Sequence, residues 1–162
     1  MRRIAIPLLS IFVVAASGLA ANPTVPGDIA VLRGDVAHAP ANAPPAVQKA
    51  IWAVNTIVRK PYRWGGGHST FFDIGYDCSG SVSFMLHNAG VLDAPTPSKG
   101  LLSWGQPGRG RWITVYTRTG HAFAVIAGLR LDTTGRSERE GPRWHSDIRD
   151  LSKFAARHPA GL

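Results

Sequence analysis

The stretch Asp77-Cys78-Ser79-Gly80-Ser81-Val82-Ser83-Phe84-Met85-Leu86-His87-Asn88-Ala89-Gly90 decides how the rest of the chain is read. Asp77 is a good helix N-cap, because its carboxylate can accept from first-turn amides, and Gly90 suits the C-terminal stop. The stretch therefore predicts a helix from Cys78 to Ala89. Val82, Met85, Leu86 and Ala89 recur at the helical repeat, and Cys78 lies four residues before Val82, which puts the thiol on the same inward face. Amide N–H groups and the helix dipole favour an anion at this terminus, and the anionic form of a thiol is its nucleophilic form.

Upstream, Val47, Ile51, Val54 and Val58 form the apolar stripe of a second helix, with Pro44 and Pro45 at its start, Arg59 and Lys60 at its close and Pro61 as its stop. Downstream, residues 93–111 hold three prolines and four glycines and read as a long connection with at most short ordered pieces. The texture then turns to strand: Trp112–Tyr116, His121–Ala127 and Leu129–Thr133, punctuated by Gly120 and Gly128. Trp144–Leu162 reads as a short strand or turn, with a helical turn around Ile148–Phe154. Helices first and strands afterwards predict an α+β domain, with N-terminal helices packed on an antiparallel sheet.

The first 21 residues have the layout of a secretory signal: Arg2 and Arg3, an apolar run from Ile4 to Ala16 broken by Pro7, then small residues. The run is short for a membrane span, so no stable membrane insertion is expected once the signal is cut. Residues 22–45, with five prolines, read as an extended or disordered leader. Residues 46–162 then form a single domain. With Arg2 and Arg3 set aside, 16 Lys and Arg face 10 Asp and Glu. Outside the cytoplasm that charge favours an anionic partner such as cell-wall carboxylates over nucleic acid, or else serves only to keep the surface soluble.

Cys78 is the one cysteine of the chain. In an exported protein a lone thiol is either an intermolecular bridge or a reactive group, and its place on an apolar helix face argues against the bridge, so a monomer is expected. A thiolate that attacks a carbonyl needs an imidazole partner on a rigid element. His121 opens an apolar strand, with Phe123 and Val125 on its own face and Ala122, Ala124 and Ile126 on the other. It fits either that role or that of a core histidine with a satisfied ring. No spacing makes a zinc site with Cys78, and no cofactor is called for.

Pro61-Tyr62-Arg63-Trp64-Gly65-Gly66, then Asp77-Cys78-Ser79-Gly80, then Gly120-His121 entering a strand, resembles the NlpC/P60 cell-wall cysteine peptidases. The resemblance spans about residues 46–135 and implies a papain-like α+β fold. It implies an exported, periplasmic or secreted, hydrolase of an amide bond in peptidoglycan stem peptides. Carried over by position, Cys78 is the nucleophile and His121 the general base and acid. Tyr62 lies near the thiolate, and Asp77 and Ser79 line the pocket for the stem peptide's end. His68–Tyr76 is longer than the family's simplest pattern and is expected to form a rim of the cleft. For the residue that orients the histidine, Asp132 is chosen over Thr133 and Thr134 because an ionised carboxylate fixes the imidazole tautomer, with His145 in reserve. His38, His87 and His158 are expected at the surface. Tyr62 and Trp64 could equally be core filling, Asp77 a cap alone, and Gly65–Gly67 a simple turn. A different class of reading is a cell-wall-binding module without turnover, or an acyltransferase or amidase acting on another substrate.

Overall fold

The computed structural model describes residues 22–134 and 140–162; the expected signal segment lies outside them. Three short strands come first: β1 (Thr24–Val25), β2 (Val31–Arg33) and β3 (Val36–Pro40). Helix α1 (Pro45–Asn55), helix α2 (Cys78–Asn88) and the short α3 (Ser98–Leu101) follow. The second half supplies β4 (Gln106–Pro107), β5 (Ile113–Arg118), β6 (His121–Ile126), β7 (Leu129–Asp132), β8 (Arg143–His145) and β9 (Ala155–His158). These last six form one sheet in the order β4-β9-β5-β6-β7-β8, antiparallel at every pairing. The α+β class is the one predicted. Among the described residues no helix is long and apolar enough to cross a membrane.

The two main helices and the sheet share one core. Val47, Ala50, Ile51 and Val54 of α1 meet Val82, Met85 and Leu86 of α2, and α2 lies on β6 and β7 over Ala122, Ala124, Ile126 and Leu131. The alanines of β6 have the small side chains that let a helix approach a strand closely, and the other β6 face is left to His121 and Phe123. α2 is buried well beyond its apolar stripe: every residue from Cys78 to Leu86 is buried. Its serine face is satisfied by distant backbone, since Ser83 Oγ donates to Thr96 O (3.1 Å) and accepts from Thr96 N (3.0 Å). One turn earlier on that side of the helix, the Gly65–Gly67 turn sits directly on it. A Cβ on Gly80 would lie 1.9 Å from Gly66 O, so only glycine permits that approach.

The leader expected to be disordered is instead ordered. β3 pairs with β1 in parallel and with β2 antiparallel, and Ala37 and Ala39 are fully buried against α1. The alternation in Val36-Ala37-His38-Ala39 is built from alanines, a weak strand signal, and its backbone is completed by side chains far along the chain. Asn55 pairs with Ala37 through both amide groups at 2.9 Å, and Trp52 Nε1 donates to Pro23 O at 2.9 Å. The expected helical turn at Ile148–Phe154 is an irregular segment closed by a hydrogen bond from Phe154 N to Leu151 O. β9, which follows within the tail read as a short strand or turn, forms between β4 and β5. His38, His87 and His158 are half-buried rather than at the surface, and the His87 ring stacks on Phe71 at 4.0 Å.

Candidate active site

Asp77 caps α2 as predicted: its Oδ1 accepts from Gly80 N at 2.8 Å. That cap holds Cys78 at the helix start, where first-turn amides have no intrahelical carbonyl to meet. The Asp77 carboxylate does more than cap. Oδ2 accepts from Gly65 N (3.1 Å), and Oδ1 also meets His68 Nε2 (3.0 Å) and Ser79 Oγ (3.3 Å). His68 in turn lies 3.1 Å from Ser79 Oγ. Asp77 and Ser79 therefore flank Cys78 in a polar cluster with His68, a residue the sequence placed only in a rim. The segment His68–Tyr76, expected as a rim, is a closed loop, and none of its residues lines the cavity at Cys78. The buried Tyr76 hydroxyl donates to Phe71 O (2.8 Å) and accepts from Asp73 N (3.1 Å), while Asp73 Oδ2 accepts from Gly67 N (3.0 Å).

β6 brings the histidine. β5 and β6 are joined by the tight turn Thr119-Gly120, in which Gly120 takes φ +85, so His121 enters the strand directly opposite Arg118. β6 pairs Ala124 with Leu131 of β7, and that register puts Asp132 on the His121 face, diagonal to it. Cys78 and His121 line the same cavity, close enough for the sulfur to bear on the charge of the ring, and His121 Nε2 lies 3.0 Å from Asp132 Oδ1. With Nε2 committed to the carboxylate, Nδ1 is the ring nitrogen left for the sulfur. Cys78 is 8 % exposed, His121 7 % and Asp132 1 %.

The other orienting candidates lie elsewhere. Thr133 and Thr134 donate their backbone amides to Asp132 Oδ1 (2.8 and 3.1 Å), and the Thr134 hydroxyl adds a third bond (3.0 Å), so both serve the carboxylate. His145 sits on β8 opposite Arg130, with Nε2 buried and without a hydrogen-bond partner among the described residues. It lines a separate cavity of about 760 Å³ and titrates lower than usual, through burial first and then the Arg130 charge.

Two arginines complete the cluster. Arg130, itself buried, donates to Asp132 Oδ2 at 2.7 Å, and Arg149 reaches the same oxygen at 3.0 Å and lies 3.2 Å from His121 Nε2. Arg149 also rests over the rings of Phe123 and Phe154. No local motif marks either residue. Arg130 at least alternates with Asp132 along a strand, but Arg149 arrives from an irregular segment.

Burial by itself lowers the His121 pKa, but the hydrogen bond to Asp132 and then the nearby Cys78 sulfur, together with the charges of both, push it up to about 9. For Asp132 burial works upward. The bond and charge of His121, then Arg149 and the Thr134 amide, hold it well below the usual carboxylate range. The site therefore keeps an imidazolium beside a sulfur through neutral pH. A cavity of about 290 Å³ opens onto this pair, lined also by Tyr62, Arg118, Gly120, Thr133, Thr134 and Arg149. Tyr62 is half-buried and pairs by a backbone bridge with Tyr76; Trp64, 84 % exposed, fills no core. Among the described residues no cluster of His, Cys, Asp and Glu could hold a metal ion.

A lone buried cysteine at a helix N-terminus, facing a histidine and carboxylate carried on an antiparallel sheet, defines an α+β protein with a thiol–imidazole site. Among solved structures this fold is similar to that of the peptidoglycan hydrolase RipB from Mycobacterium tuberculosis. The TM-score is 0.52 at 21 % identity, over 72 % of this chain and 69 % of that one, and the predicted papain-like arrangement agrees with that likeness. No family model matches the sequence, and no curated protein sequence matches it.

Proposed function

We propose that this protein is an exported cysteine peptidase of the NlpC/P60 kind, which cleaves an amide bond in peptidoglycan stem peptides. The observation that carries the reading is Cys78, at a helix N-terminus, lining one cleft with a His121 ring anchored by Asp132. The fold shared with a peptidoglycan hydrolase supports the choice of substrate.

In this mechanism the Cys78 sulfur adds to the amide carbonyl carbon, and first-turn amides of α2 receive the developing oxyanion. His121 gives its proton to the leaving nitrogen as the C–N bond breaks, which leaves a thioester on Cys78. A water molecule then attacks the thioester carbonyl, His121 takes its proton, and the C–S bond breaks to release the acid and restore the thiolate beside the imidazolium. Asp132 stays ionised and holds the imidazolium that forms at each stage. Tyr62 lines the cleft beside Cys78, whereas Asp77 and Ser79 are buried outside the cavity's lining and, with His68, act on the site by holding the start of α2.

The direct test is digestion of purified cell-wall sacculi by the wild type and by Cys78→Ala. Soluble peptide fragments are expected from the wild type and none above background from the variant. Equal release from both would rule the mechanism out, and wall binding without release from either would favour a binding module.

A further inference from the structure

The cleft has a marked charge character. Among the described residues, two of those lining it are arginines, Arg118 and Arg149, and none is a carboxylate. The acid behind it, Asp132, is buried, with one oxygen on Arg130 and Arg149 and the other on His121 and the threonines. Arg149 thus has an acidic partner behind it. Among the described residues Arg118 has none: it is exposed at the end of β5, and its interaction is a stack over the Phe154 ring at 5.3 Å. Arg149 stands 5.4 Å from the same ring. Two guanidinium groups against one ring repel each other, and an anionic ligand relieves that repulsion.

Register places this uncompensated cation beside the chemistry. Arg118 is the cross-strand partner of His121, and directly opposed side chains project from the same face about 5 Å apart at Cβ. The Arg118 guanidinium lies over the Phe154 ring, and the residue is exposed. A planar fork of this kind matches a carboxylate through paired hydrogen bonds, which a lysine ammonium does not reproduce.

We propose that Arg118 is a specificity-determining residue that binds a free carboxylate of the substrate next to the bond being cut, so that the enzyme prefers stem peptides with unmodified carboxylates over amidated ones. The assignment rests on the peptidase reading of the same cleft for its choice of substrate. It explains why an exposed arginine is stacked at the cleft mouth with no acidic partner within the described fold.

Calorimetric titration of Cys78→Ala, which cannot turn substrate over, separates the two ideas. The probes are a synthetic stem tetrapeptide with free carboxylates and its fully amidated counterpart. The free form is expected to bind about 10- to 100-fold more tightly. Adding Arg118→Gln should bring the ratio near one, and adding Arg118→Lys should restore only part of it. Equal affinities in the Cys78→Ala protein, no binding of either peptide, or a ratio that Arg118→Gln leaves unchanged would each overturn the role of Arg118. Cleavage of the free peptide by the wild type is measured in parallel. If it is absent while the affinity ratio persists, the peptidase reading fails and the carboxylate site stands.

Discussion

At His121, burial and hydrogen bonding act in opposite directions, and bonding wins because Asp132 and Cys78 both favour the protonated ring. A histidine raised from 6.5 to about 9 contributes stability that is fully present below about 6.5 and is lost as pH rises through about 9. The melting temperature of the wild type should therefore fall across that window, while His121→Gln should lack this slope; a flat wild-type profile would argue against a held imidazolium. Asp132→Asn keeps the shape of the carboxylate and removes its charge. Stem-peptide hydrolysis should drop about a hundredfold or more, with kcat rather than KM carrying the loss, in steady-state assays. Cys78 and His121 were legible because each sits at a place with a local signature, a capped helix start and a strand entrance after glycine. Asp132 was legible as a candidate, since the choice between it and its neighbours depends on strand register, which a turn or a bulge can shift. Arg149 was not legible, because its contact with His121 is made by an irregular segment and leaves no pattern.

The element that organises the site is α2. Its caps and apolar stripe were readable from its own residues, whereas its burial on the serine face was not, because the groups that cover it come from Thr96 and from the Gly65–Gly67 turn. Two glycines of this region separate close approach from backbone conformation. Gly80→Ala forces the Gly66 carbonyl away from the helix and should destabilise by about 1–3 kcal/mol, with loss of wall cleavage as Cys78 is displaced. Gly90→Ala meets open space but keeps φ +74, and should cost about 1 kcal/mol with cleavage intact. Denaturant unfolding and sacculus digestion on the two variants check both halves. If Gly80→Ala is the milder change, the turn is not seated on the helix as described.

Across the whole molecule, the N-terminal strands are part of the body of the protein. The proline content of residues 22–45 concealed this, because the strands are short and their partners, Asn55 and Trp52, sit on α1. A chain that begins after Pro40 uncovers α1 where Ala37 and Ala39 are now packed. It should melt lower by about 10 °C or more in calorimetry. The helices, the sheet and this added ribbon together fix one sulfur against one protonated ring. The rate of Cys78 alkylation by iodoacetamide, followed by mass spectrometry between pH 5 and 9, examines that arrangement most directly. The wild type should react well below pH 8 at a rate far above that of a free cysteine peptide, and His121→Ala should remove the excess. A wild-type rate that matches the free peptide at every pH would contradict a nucleophile built from Cys78 and His121.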